Sequence, residues 1–378
     1  MMKKLCYMLL AVLALGCKDS YDLPVNVPAT GYLVVDGTIN SGLGATFINL
    51  SKTVRLVDSF NINYVTNAEV SVEGEDNSKF PIPHSRNGQY INNQLNLNRG
   101  AKYRLRIRLD NKEYVSSYLA VKPSPVIDSI NFTKTDQGLD IYVDAKGNAN
   151  TTGYYRWEYE ETWEFNSAYA PNLRYSPVPR AEYIDRGQSF DYSKYTCYQS
   201  ARSTTIEILS TARLTRDTTH YRITTIPRAD WKLSVLYSIL ARQYSISREG
   251  FEYLSKMKKN TEQTGSIFDA QPSELKGNIT CVTNPAEPVI GFMEVSDMHS
   301  KRIFIKNSQV TPWGYLQQCI LTSLVNNPDS IRNAGFPSPV TPSETSPVSS
   351  AIVRFWTTDI TCIDCTLRGT LTKPTFWP

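Results

Sequence analysis

The chain has 378 residues, with 40 Lys and Arg against 36 Asp and Glu and a formal net charge of +4. That balance, without a basic tract anywhere, excludes the electrostatic footprint of a nucleic-acid-binding protein. The 23 tyrosines, the abundant Ser, Thr and Asn, and long stretches poor in Ala, Leu and Glu favour β-structure with polar loops.

At the N-terminus, Lys3 and Lys4 precede an apolar run from Leu5 to Leu15, which leads through Gly16 to Cys17. About eleven apolar residues fall short of the roughly twenty needed to cross a hydrocarbon core, so residues 1–16 read as a signal peptide. Leu13-Ala14-Leu15-Gly16-Cys17 has the layout of a lipobox, with Ala14 at a position where Leu is commoner. Cleavage before Cys17 and acylation of that cysteine, by palmitate among other chains, would anchor the mature protein to a membrane more firmly than a single myristoyl chain does. No later segment is apolar enough to span a bilayer. Residues 17–28, with Pro24 and Pro28, read as an extended tether.

Residues 29–122 read as an immunoglobulin-like β-sandwich. Tyr32 to Ile39, Thr46 to Leu56 and Ala68 to Val72 have strand character, and Gly74-Glu75-Asp76-Asn77 has the residues of a tight hairpin. In the run 103–109, Tyr103, Leu105, Ile107 and Leu109 alternate with Arg104, Arg106 and Arg108, a period of two that buries one face and solvates the other. With Gln89-Tyr90-Ile91 and Lys112 to Ser117 these make about seven short strands in roughly ninety residues, the spacing of a sandwich.

Pro123-Ser124-Pro125 is a stiff, non-helical boundary. Residues 126–378 then read as a larger β-rich domain with one short helix and long loops, which makes the whole chain mainly β. Strands are expected at Ile127 to Phe132 and around Leu139, Ile141 and Val143. Next, Tyr155, Trp157, Tyr159, Trp163 and Phe165 share one parity, with Glu161 breaking the aromatic face. Two readings compete here. Trp157, Tyr159 and Trp163 are candidate ligand-stacking residues for sugar rings or peptide, yet such alternation is also what a buried strand face requires, and the core reading is favoured. Residues 166–230 have no clear period. Leu233 to Tyr244 reads as a strand, and Ser247 as the cap of a helix from Arg248 to Lys259. Ile290 to Val295 and Arg302 to Ile305 are further strands, and Pro328 to Ser350 reads as a Pro-rich loop without regular structure.

Beyond Cys17, the cysteines of the mature chain are Cys197, Cys281, Cys319, Cys362 and Cys365, an odd number that leaves at least one thiol unpaired. Cys362-Ile-Asp-Cys365 has no second CxxC for a zinc ribbon, and it follows a strand-like run rather than opening a helix as a redox pair would. A structural disulfide, local or to Cys319, is the expectation. His84, His220 and His299 do not stand at metal-ligand spacing, and no HExxH, phosphate-binding loop, GxSxG or dinucleotide fingerprint occurs. The expectation is therefore a protein that is not an enzyme and needs no metal or cofactor. A hydrolase with an unrecognised carboxylate pair is the weakest alternative.

Several ordered motifs carry a family resemblance. They are Tyr32-Leu33-Val34-Val35-Asp36-Gly37, Tyr155-Arg156-Trp157 through Phe165, and Gln243-Tyr244-Ser245-Ile246-Ser247. Gly277-Asn278-Ile279, Asn284-Pro285 through Phe292, Lys301 to Ile305 and Cys362 through Trp377 complete the set. On these the chain resembles the Bacteroidota outer-membrane lipoproteins grouped as domain of unknown function forty-two forty-nine. Lys18-Asp19-Ser20 after the lipobox resembles the export signals of such lipoproteins displayed on the cell surface. The resemblance implies a lipid-anchored outer-membrane protein facing the cell exterior, an accessory partner of a TonB-dependent β-barrel receptor in ligand capture. A structural or adhesive surface protein is the alternative. No catalytic residues come with the resemblance.

Overall fold

The computed structural model describes residues 31–54, 62–147, 153–176, 184–187, 189–262, 275–335 and 337–378. Cys17, the signal peptide and the tether lie outside these residues.

The first module contains β1 (Leu33–Asn40), β2 (Thr46–Lys52), β3 (Asn63–Tyr64), β4 (Glu69–Gly74), β5 (Lys79–Pro81), β6 (His84–Arg86), β7 (Gln89–Asn92), β8 (Lys102–Leu109), β9 (Lys112–Ser116) and β10 (Leu119–Ala120). They form two layers, one from β1, β2, β3, β6 and β7, the other from β4, β5, β8, β9 and β10. The alternation in β8 does what its period predicts: Tyr103, Leu105, Ile107 and Leu109 are buried between the layers. On the outer face, Arg104 donates to Glu73 at 2.9 Å, while Arg106 reaches Glu73 at 2.7 Å and Glu113 at 3.0 Å. The hairpin between β4 and β5 turns at the expected residues, with Asn77 in the left-handed region at φ 65°.

The second module begins with β11 (Ile127–Lys134), β12 (Gly138–Lys146) and β13 (Tyr154–Asn166). After it come β14 (Leu173–Tyr175), β15 (Ile184–Arg186), β16 (Thr196–Arg202), β17 (Glu207–Ser210), β18 (Thr218–Pro227), β19 (Leu236–Ser245) and helix α1 (Arg248–Glu262). Ser247 caps α1, its Oγ accepting from the Gly250 amide at 2.9 Å.

The chain then goes back to the first module. Strand β20 (Ile279–Cys281) pairs with β9, and β21 (Val289–Ile290) and β22 (Val295–Ser296) pair in parallel with β1. Ile279, Cys281, Val289, Met293 and Val295 join the first module's apolar cluster. A boundary at Pro123-Ser124-Pro125 therefore does not divide the molecule: residues 279–296, expected in the second domain, complete the first. Strand β23 (His299–Lys306) re-enters the second module beside β19. There the sheet β16–β13–β19–β23, with β17 also on β13, packs against β11–β12–β18 around a second apolar cluster.

The remainder holds the short helices α2 (Asn307–Val310) and α3 (Pro328–Asn333) and the strands β24 (Thr322–Val325), β25 (Ser338–Thr345) and β26 (Ile352–Thr358). The Pro328–Ser350 segment is thus not an irregular loop. Pro328 begins α3, where a missing amide costs nothing, and the Asn327 side chain caps it by accepting from the Ser330 amide at 2.8 Å. The prolines of β25 are accommodated at a sheet edge, with register shifts at Pro339/Thr341 and Pro342/Glu344.

Candidate functional site: a cleft between the two sandwiches

Strand alternation gives the long β13 two faces. Its odd-numbered rings enter the second core: Trp157 is 1% exposed, Trp163 3% and Tyr159 9%. Trp157 stacks on Tyr221 at 4.7 Å and donates from Nε1 to Gln243 Oε1 at 2.9 Å. Trp163 meets Trp231 edge-on at 5.5 Å, and the Tyr159 hydroxyl donates to Thr224 at 3.2 Å. The stacking-platform reading of these three residues is therefore corrected: the rings are core, filled from both sides. Glu161, which interrupts the aromatic face, lies in the same core. It is buried, with the Tyr237 hydroxyl and Lys232 Nζ each donating to it at 2.7 Å. Burial and this carboxylate raise the Tyr237 pKa, so the phenol stays a donor.

The opposite, even-numbered face of β13 looks toward the first module and bounds a cleft of about 650 Å³. Arg156 and Glu158 form its floor together with Arg242 and Tyr244 of β19. Trp157 and Tyr159 border it too, and strand alternation brings their main chain rather than their rings to that side. The facing wall is Asp36, Gly37 and Thr38 of β1 with Phe47 and Asn49 of β2. Arg202 at the end of β16, the segment 203–206, and Leu254, Met257 and Thr261 of α1 close the sides.

Two contacts fix the modules around this cleft. Arg156 pairs with Asp36 across the gap at 3.1 Å and with Glu158 on its own strand at 2.8 Å. Burial opposes charge on Arg156, but these two carboxylates outweigh it and keep the guanidinium ionised. The second contact is Glu294, buried beside β22, which accepts from the Ser247 amide at 2.9 Å and from the Ser247 hydroxyl. A carboxylate at the start of α1 complements the helix dipole and anchors the helix that walls the cleft. Burial raises the Glu294 pKa despite these two bonds. Tyr244 is shifted upward by burial and by the Glu158 carboxylate, so it too presents a protonated hydroxyl.

At the other end, Arg202 and Arg242 lie over the Phe47 ring, at 6.0 and 5.7 Å from its centre. Asp36, Gly37, Arg156 and Tyr244 stand in ordered motifs of the sequence, but nothing in those motifs marks them as neighbours in space. The members of the cleft run from Asp36 to Thr261 and share no single motif; packing of two modules brings them together.

The cysteines stand apart from the cleft. Cys319 bonds to Cys362, and Cys365 bonds to Cys197, with Cα separations of 5.9 and 5.7 Å. Cys362 and Cys365 belong to successive 3-10 turns, Ile360–Cys362 and Cys365–Leu367, and do not pair with each other. Cys197 belongs to β16, and nothing near it in sequence marks it as the partner of Cys365, 168 residues away. Cys281 is a buried free thiol. Among the described residues no three His, Cys, Asp or Glu side chains gather as a metal site, and no helix is long and apolar enough to cross a membrane.

No curated protein matches the chain. Among solved structures, a two fibronectin type-III domain segment from chicken tenascin is 12% identical, covering 57% of this chain and 90% of that one, with a TM-score of 0.16. The chicken interferon gamma receptor alpha chain is 9% identical, covering 60% and 91%, with a TM-score of 0.14. Scores this low carry no argument. A family profile matches residues 18–302, a span that includes the first sandwich, the return segment, every wall of the cleft and the second sandwich as far as the middle of β23, and that ends before the Cys362 to Trp377 motif. The chain belongs to the family described as Domain of unknown function (DUF4249).

Proposed function

We propose that the protein is a surface-exposed outer-membrane lipoprotein, held by lipid on Cys17, that captures a ligand for a TonB-dependent β-barrel transporter without catalysing a reaction. The observation that carries this reading is the inter-module cleft. Its volume of about 650 Å³ suits a small ligand, and junctions between modules are preferred binding places. The lipobox supports the location, and the tether of residues 17–28 would keep the cleft close to the membrane plane.

The test is co-purification of the tagged full-length protein from detergent-solubilised outer membrane. A β-barrel receptor recovered in stoichiometric amount is expected. Recovery of no barrel would overturn the transporter partnership and favour a spacer or adhesive role.

A further inference from the structure

Charge is distributed unevenly along the cleft. At one end Arg156 is met by two carboxylates, Asp36 and Glu158. At the other end, Arg202, Arg242 and Arg302 share Glu160, at 3.7, 3.6 and 4.0 Å. Those separations exceed hydrogen-bond length, and among the described residues neither Arg202 nor Arg242 has a side-chain hydrogen bond. Glu158, cross-strand from Arg242, is engaged by Arg156, so one carboxylate serves the three guanidiniums and leaves this part of the sheet face positive. Burial lowers the Arg302 pKa, and Arg242 beside it adds to that lowering while Glu160 opposes it.

Arg202 and Arg242 open onto the cleft, whereas Arg302 is covered by the Phe376 ring at 3.6 Å. Beyond the two open cations the wall turns apolar, with Phe47, Ile206, Leu254 and Met257. We infer that the cleft binds an organic anion, its carboxylate or phosphate held between Arg202 and Arg242 and its apolar body laid against Phe47, Leu254 and Met257. The inference rests on the capture reading above and names the ligand class. A guanidinium presents a planar fork of donors that matches such an oxyanion. A neutral ligand would desolvate the two forks without satisfying them. Asp36 and Glu158 are already engaged by Arg156, so among the described residues the cleft has no further cation for a second negative charge, which selects a ligand charged at one end.

Two fluorescent probes separate charge from shape: 8-anilinonaphthalene-1-sulfonate, an aromatic body with one anionic group, and the uncharged N-phenyl-1-naphthylamine. Purified protein should bind the anionic probe saturably, at least about tenfold more tightly than the neutral one. Arg242→Gln and the half-exposed Arg202→Gln should each weaken the anionic probe about tenfold and change the neutral probe by less than about twofold. Arg202→Lys, which keeps the charge and loses the fork, should fall between. Arg108→Gln, on the outer face of β8, should change neither probe, and an unaltered thermal melt shows that each variant folds. Equal affinity for both probes, or no response to either arginine substitution, overturns the anion assignment. That failure is distinct from failure to recover a receptor, because co-purification requires no ligand in the cleft.

Discussion

The first sandwich gathers 22 buried apolar residues in one cluster and contains no disulfide, whereas the C-terminal sheet with its hairpin β14–β15 buries four, Leu173, Ile184, Ile331 and Phe355. Both cystines of the described structure fasten this C-terminal segment: Cys365 is bonded to Cys197 in the second sandwich's apolar cluster, and Cys362 to Cys319, just before β24. A large core can hold short strands by burial alone. A small one leaves the entropy of the loops largely uncompensated, and cross-links lower the entropy of the unfolded chain instead. The two regions thus reach order by different routes, and perturbations should separate them.

The largest expected effect comes from the core. Ile107→Ala, at a position fully enclosed between the layers, should cost about 2–5 kcal/mol in a denaturant titration and should be indifferent to reductant. Next, the paired change Cys197→Ser and Cys365→Ser should cost about 2–4 kcal/mol. Limited proteolysis should then cut first beyond residue 306 while the first sandwich survives; initial cleavage within residues 33–120 would break the comparison. Smaller, about 1–3 kcal/mol, is Gly291→Ala. Gly291 lies at φ 153°, and a Cβ there would overlap the Val35 carbonyl oxygen, so hydrogen exchange should quicken in β1 before β8.

The smallest is a pH effect. Burial raises the Glu73 pKa, but Arg106 and Arg104 more than offset it and hold the carboxyl below its ordinary 4.5. A depressed pKa contributes stability that is present above the ordinary value and lost as pH falls through the lower folded value. The melting temperature should therefore drop on acidification below about pH 4.5, and Glu73→Gln should flatten that dependence. An unchanged acid limb would show that the ion ladder on β8 does little for the sandwich.

Local patterns were legible where neighbours in sequence decide the structure. The alternation in β8, the turn at Asn77, the Ser247 cap and the aromatic parity of β13 all follow from residues a few positions apart. Partners distant in the chain were not legible. The short strands β21 and β22 have no period long enough to read, and their place beside β1 depends on packing. Cys197 and Cys365 lie 168 residues apart, and nothing local couples them. The cleft was hidden for the same reason: Asp36, Phe47, Arg202 and Arg242 are ordinary strand residues until two sandwiches meet. Proline count misjudged β25, because it does not reveal which strand will sit at an edge.

The return of residues 279–296 to the first module also has a consequence in time. During synthesis β1 and β9 emerge early, but their partners β21, β22 and β20 follow only after the whole of the second module's first nine strands and α1. At about 5–20 residues per second those gaps, roughly 160 residues for β9 and roughly 250 for β1, last on the order of ten to fifty seconds. For that interval the nascent chain carries two open strand edges with unpaired amides and carbonyls, the form in which sheets recruit wrong neighbours. Those edges close only once residues 279–296 have been added to the chain.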